Sequence, residues 1–309
     1  MTLPDEVAAA VERSASPRLA GVSIQHLVGD RPDLAGRLEA DAGLLAALVA
    51  VLAASRSLGQ LCRTDPAAIE VLADLGRRAP RPAGAVEDLL SWQRRELLRI
   101  AARDLTGLDG LEEVGGALAG MADDVWAGAW QTAAVADGLA VIAMGKYGGE
   151  ELNYASDVDV LFVGEGDVRG ALGVARRCFR VDADLRPEGR NGPLVRSLEA
   201  FTAYWQRWAD TWEFQALLKA RPAAGDPRIG AAFAAAAAAA VWERPFGADE
   251  LREVRAMKAR AEGEVQRPGP GCRAPAWCCA TGARDRHHRA RVGAAGRRTR
   301  CRGCHRDPA

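Results

Sequence analysis

Two periods of apolar residues divide the chain. From the start to about residue 135 the spacing is helical. The segment "DLAGRLEADAGLLAALVAVLAASRSLGQLCR" from Asp33 repeats apolar positions at steps of three and four, and "DPAAIEVLADL" opens on an Asp cap with Pro in the first turn. After a Pro-rich break, "PRPAGAVEDLLSWQRRELLRIAARDL" is a further amphipathic helix. Its last acid, Asp104, is expected in solvent or in a local ion pair. The pattern then changes to short runs. "LAVIAMG" (139–145), "DVDVLFVG" (157–164) and "CFRVDADL" (178–185) read as strands, with a short helix at "GALGVARR" between the last two. Beyond the turn-rich "RPEGRNG", Leu198, Phe201, Trp205, Trp208 and Trp212 follow helical steps, which predicts one core-facing stripe. "IGAAFAAAAAAAVWERPF" is alanine-rich and strongly helix-forming.

These elements predict an α+β fold that is mostly helical. A helical region covers 1–135, an αβ core 136–225 and the start of a helical domain 226–266. No internal repeat is visible. The longest apolar run, "AGLLAALVAVLAA", falls short of the ~18 residues that span a bilayer. The acidic, amphipathic start does not read as a signal peptide. A soluble cytoplasmic protein without a membrane partner is the expectation.

Charge changes the picture at the C-terminus. Lys and Arg together balance Asp and Glu at 41 each, yet eleven Arg and two Asp lie from Arg267 onward. The preceding body holds 30 basic against 39 acidic residues, which argues against a nucleic-acid partner. Five of the seven Cys and three of the four His also lie in that tail. "CRGCH" contains a metal-type C-x-x-C, but no second pair stands at a fitting spacing. Val292 is the tail's one aliphatic residue larger than Ala. Such a segment buries too little surface to fold. Residues 267–309 read as an out-of-frame, disordered end of a GC-rich gene.

The chemistry concentrates in "VIAMGKYGGEELNYASDVDVLFVGEG" (141–166). Alternate strand residues share a face, so Asp157 and Asp159 point together, with Val158 and Val160 opposite. Two such carboxylates repel unless a cation lies between them. Mg²⁺ takes carboxylate oxygen and leaves positions for phosphate. Asp182 or Asp184 on the third strand would complete a triad. Gly145, Gly148 and Gly149 allow close backbone approach to a phosphate, and Lys146 adds a point charge. D-x-D and G-x-x-G-G are each weak signals. Their order, strand, glycine turn, D-h-D-h and a later strand Asp, resembles the polymerase-β-like nucleotidyltransferase superfamily.

Longer motifs carry a closer resemblance. "RRELLRIAARDL", "GKYGGEELNYASDVDVLF", "VDADLRPEGRNGPLVRS" and "YWQRWADTWEFQALLKARPAAGD" resemble the bifunctional glutamine synthetase adenylyltransferase/adenylyl-removing family, over roughly residues 45–257. The form "ELNYASDVDV" is similar to that family's N-terminal, adenylyl-removing copy. The resemblance implies phosphorolysis: inorganic phosphate attacks the AMP phosphorus of adenylyl-tyrosine on glutamine synthetase and releases ADP. It implies Mg²⁺ with ATP or ADP, glutamine synthetase as partner, and the PII signalling protein as a candidate regulator. By position, it implies metal ligation by Asp157, Asp159 and Asp182, with Asp184 ranked below Asp182. Gly145, Lys146, Gly148, Gly149 and Ser156 are implied around the nucleotide, with Arg186, Lys219 and Arg221 toward phosphate. Surface or structural ion pairs are the competing assignment for those last three. An inactive nucleotide-binding remnant and a different nucleotidyltransferase are the competing functions. After "MKAR" the sequence departs from the family pattern.

Overall fold

The computed structural model describes residues 3–245 and 247–266. The reading of the tail as out of frame lies outside the described residues. Six short helices come first: α1 (Asp5–Glu12), α2 (Pro17–Asp30), α3 (Asp33–Ala40), α4 (Ala42–Ala54), α5 (Arg56–Thr64) and α6 (Ala67–Ala73). The long apolar segment from Asp33 forms three helices, α3, α4 and α5. Asp41 and Ser55 break it by accepting the backbone N–H groups of Leu44 and Leu58, which caps α4 and α5. Helix α4 is apolar on all sides and lies at the centre of this cluster, against α1, α2, α3, α5 and α6.

Two long helices follow, α7 (Val86–Thr106) and α8 (Leu111–Thr132). Helix α7 joins the two parts of the molecule. Leu98 and Ala102 pack into the first cluster, while Leu89, Trp92 and Ile100 pack with the sheet. Glu96 on α7 is buried and is held by Arg99 at 2.8 Å and Arg78 at 2.9 Å. Asp104 is partly buried, and in place of a local ion pair it accepts the Tyr154 hydroxyl at 2.9 Å across 50 residues.

The remaining elements are β1 (Leu139–Ala143), α9 (Gly145–Gly148), β2 (Val158–Gly164), α10 (Arg169–Cys178), β3 (Val181–Asp182), β4 (Val195–Arg196), α11 (Leu198–Arg207), α12 (Thr211–Leu217), β5 (Arg221–Gly225), α13 (Pro227–Trp242) and α14 (Ala248–Gln266). The sheet runs β3-β2-β1-β5, with β4 also on β2. Strands β1 and β2 are antiparallel, whereas β3 and β4 pair parallel to β2. One face carries Val141, Val158, Val160 and Phe162 against α8 and α10. The other carries Ala140, Ile142, Leu161 and Val163 against Phe201, Trp205 and Phe233 of α11 and α13. The fold is thus mostly helical, with a small mixed sheet between two helical layers.

Three expectations change. The third strand is two residues long, because α10 continues through Cys178 and the chain turns at Asp184. The aromatic stripe is not one helix face: Phe201 and Trp205 are buried, but the chain breaks after Arg207 and leaves Trp208 exposed. The segment "RPAAG" is a strand that the sequence reading lacked. No described helix is long and apolar enough to cross a membrane.

Candidate functional site

The register of β2 with its neighbours assembles the site. Asp159 stands opposite Asp182 in the parallel β2–β3 pair, and Asp157 directly precedes β2. The Asp159 carboxyl is pushed up to about 6, first by burial and then by the charges of Asp182 and Asp157; Lys146 opposes the shift. Asp157, Asp159, Asp182 and Lys146 therefore share one electrostatic neighbourhood. Asp184 does not join it. Its carboxylate pairs with Arg190 at 2.5 Å and Arg186 at 3.2 Å, and these contacts hold it below the usual range. Between the two candidate third acids, strand register and ion pairing both favour Asp182.

The glycine turn is a short helix fitted against the same carboxylates. Met144 donates its N–H to the Asp159 carbonyl at 2.9 Å, so the chain leaves β1 beside Asp159. Gly145 has φ +53°, and a Cβ there would lie 2.5 Å from Asp159 Oδ2. No side chain fits without moving the carboxylate. Gly148 answers a different need: a Cβ would stand 2.0 Å from the Lys219 carbonyl oxygen. The N–H groups of Gly148 and Gly149 donate to the carbonyls of Met144 and Gly145. At these two positions the small residue serves the chain's own packing.

The three cations expected near phosphate are placed as follows. Arg221 makes two hydrogen bonds to Asp123, at 3.0 and 3.1 Å, and lies over the Tyr147 ring at 5.2 Å. Arg186 donates to the carbonyls of Ala183, Arg190 and Gly192, and so holds the turn after β3. Lys219 pairs with Glu151 at 2.5 Å, its stem against Gly149. The structure gathers none of the three into the group that sets the charge of Asp159. Lys146 is in that group, exposed on α9.

The donor chemistry fits a hard divalent cation. In consecutive residues, two polar side-chain atoms, Ser156 Oγ and Asp157 Oδ1, are buried without a hydrogen bond. The 2.8 Å approach of Arg180 Nε to Asp157 Oδ1 is a charge contact alone; Arg180 Nη2 donates to Oδ2 at 2.9 Å. As the side chains stand, no three acidic, His or Cys groups among the described residues converge on one point. The reasons are visible in the contacts. Arg180 draws on Asp157, and Asp182 Oδ1 accepts the Asp184 N–H at 2.7 Å.

Sequence reading missed Asp123, Tyr147 and Arg180. Tyr147 is buried and donates its hydroxyl to Asp123 at 2.6 Å, which fastens α9 to α8. No local signal marks Asp123, since its partners lie 24 and 98 residues away. Arg180 had a signal: it immediately precedes the strand that carries Asp182. A shallow cleft of about 600 Å³ opens there, with Asp157, Arg176, Arg180, Asp182 and Arg190 among its lining residues.

Comparison with known proteins bears on this site. A family model described as glutamate-ammonia ligase adenylyltransferase matches residues 35–176 and 170–236. A bifunctional glutamine synthetase adenylyltransferase/adenylyl-removing enzyme of Streptomyces coelicolor is 39% identical over 299 residues, covering 81% of this chain and 30% of its own length. Proteins of the same description from Cutibacterium acnes and Mycobacterium tuberculosis are 42% identical over 214 residues and 56% over 132. These alignments cover 59% and 40% of this chain, and 22% and 13% of those relatives. The chain thus spans less than a third of the length of the curated relatives it matches.

Proposed function

The chain belongs to the glutamate-ammonia ligase adenylyltransferase family, and from that premise we propose that it carries the adenylyl-removing site, which releases AMP from adenylyl-tyrosine on glutamine synthetase as ADP. The carrying observation is the Asp157, Asp159 and Asp182 set at the β2–β3 pair, in which Asp157 Oδ1, like Oγ of the neighbouring Ser156, is buried without a hydrogen bond. In this reading the three carboxylates hold Mg²⁺. The bound ion would supply charge neutralisation for the oxygens of the transferred phosphoryl group.

The chain's own residues do the rest. Gly145, without a Cβ, lets the entry of α9 lie against Asp159 and leaves room for its carboxylate. Lys146 adds a free positive charge where negative charge gathers in the transfer. Ser156 Oγ offers a donor next to Asp157. The leaving phenolate, with a pKa near ~10, needs stabilisation more than a strong acid. The assignment to the removing rather than the adding copy rests on the form "ELNYASDVDV". Action in the cytoplasm and regulation through PII belong to the same proposal.

The test uses adenylylated glutamine synthetase with Mg²⁺ and this chain. ADP should appear when phosphate is added, with little ATP formed from pyrophosphate. Asp159→Asn should lower the rate by about a hundredfold or more. Transfer of AMP from ATP onto unmodified glutamine synthetase, without phosphate-dependent release, would reverse the assignment.

A further inference from the structure

The cations expected at phosphate are committed elsewhere, yet the cleft beside the carboxylates is lined by arginine. Arg180 is 80% exposed, and its one side-chain partner among the described residues is Asp157. Its backbone is fixed, because its carbonyl accepts the Val158 N–H at 2.8 Å. Arg176 is exposed in the last turn of α10 and has no ion-pair or hydrogen-bond partner among the described residues. Both line the cleft that Asp157 and Asp182 share. Arg190 lines it too but is neutralised by Asp184.

The sheet order separates this cleft from the glycine turn. The turn follows β1 and touches Asp159, while the cleft lies beside β3; β1 and β3 flank β2 on opposite sides. The carboxylates stand between the two. An in-line displacement places attacking and leaving groups on opposite sides of the phosphorus. We propose that Arg176 and Arg180 form the site for the attacking phosphate, the group that becomes the β-phosphate of ADP. This rests on the reading of the carboxylates given above.

The step balances. An oxygen of hydrogenphosphate bonds to the AMP phosphorus, and the bond from that phosphorus to the tyrosine oxygen breaks. The proton of hydrogenphosphate balances the phenolate, so ADP and tyrosine are the products. Arg180 has two roles in this scheme. Without phosphate it neutralises Asp157. With phosphate its planar fork turns to phosphate oxygens, a geometry that guanidinium matches, and Asp157 is released toward Asp159 and Asp182.

Calorimetric titrations of the full 309-residue chain test this with three probes: Mg²⁺ alone, Mg²⁺ with AMP, and Mg²⁺ with ADP. In the Arg176→Ala/Arg180→Ala variant, ADP affinity should fall by about tenfold or more. AMP affinity should stay within about twofold. Mg²⁺ alone should bind at least as well as in wild type, because a competitor for Asp157 is gone. Arg207→Ala, which removes an exposed charge on α11, should leave all three unchanged. Unchanged ADP affinity in the double variant overturns the inference, and so does a parallel loss for Mg²⁺, AMP and ADP, the mark of a purely structural pair. A wild-type chain that binds neither nucleotide with Mg²⁺ overturns the underlying reading and the inference with it.

Discussion

Burial and the carboxylates of Asp182 and Asp157 push the Asp159 carboxyl from its ordinary 3.8 to about 6. The folded state therefore binds a proton more readily than the unfolded state. Folding is favoured by this group below about pH 4, and that contribution is lost as pH rises to about 6. At neutral pH the ionised Asp159 destabilises the metal-free chain. Asp159→Asn should stabilise that chain at pH 7.5 by about 1 kcal/mol, a figure reduced for solvent screening at a half-buried site. The gain should shrink as pH falls from 6 toward 4. Thermal unfolding in chelator across this range checks it; a gain equal at pH 4 and 7.5, or a loss at 7.5, contradicts it. The paired acids were legible in the sequence because strand alternation alone puts Asp157 and Asp159 on one face. Residue pattern alone left Asp182 and Asp184 open and only the family resemblance ranked Asp182 first; the physical grounds, where β3 stops and Arg186 and Arg190 reaching Asp184, were not legible.

At the scale of elements, α9 is held by a buried contact set rather than by its four residues. Asp123 of α8 accepts the Tyr147 hydroxyl and the Arg221 guanidinium, and so ties α8, α9 and β5 together. The Tyr147 hydroxyl is held well above its ordinary range, chiefly by burial and then by the Asp123 charge, and stays a neutral donor. Asp123→Ala should cost about 2–4 kcal/mol, because it strands a half-buried arginine and a buried hydroxyl. Tyr147→Phe, which removes one hydrogen bond and keeps the ring, should cost about 1 kcal/mol. Urea denaturation of both variants measures the difference; equal small losses would mean that α9 is held otherwise. None of this was legible from local sequence, and β5 shows why. Pro222 and two alanines lack the apolar, branched side chains that announce a strand. As the edge strand, β5 tolerates a residue without an N–H. Strands β1 and β2 are covered on both faces, and their continuous apolar runs made them readable. The breaks at Asp41 and Ser55 were also visible in principle, since both are good cap residues, but the apolar spacing runs on across them.

For the whole molecule, one helical cluster and two layers around a small sheet place the carboxylates where β1, β2, β3 and the turn of α9 meet. The long motifs shared with the family turn out to serve two ends. "RRELLRIAARDL" and "WADTWEFQALLKAR" supply ion pairs, caps and the Asp104–Tyr154 link that shape the fold. "GKYGGEELNYASDVDV" and "VD" carry the residues of the proposed site. In the proposed site Asp157, Asp159 and Asp182 together bind a metal nucleotide, and Asp184 does not take part. The most direct measurement is ADP affinity with and without Mg²⁺ for Asp157→Asn, Asp159→Asn, Asp182→Asn and Asp184→Asn beside wild type. The first three should lose about tenfold or more of the Mg²⁺-dependent affinity, and Asp184→Asn should stay within about twofold. Equal Mg²⁺-dependent affinity in all five proteins, or a loss in Asp184→Asn alone, would contradict this assignment.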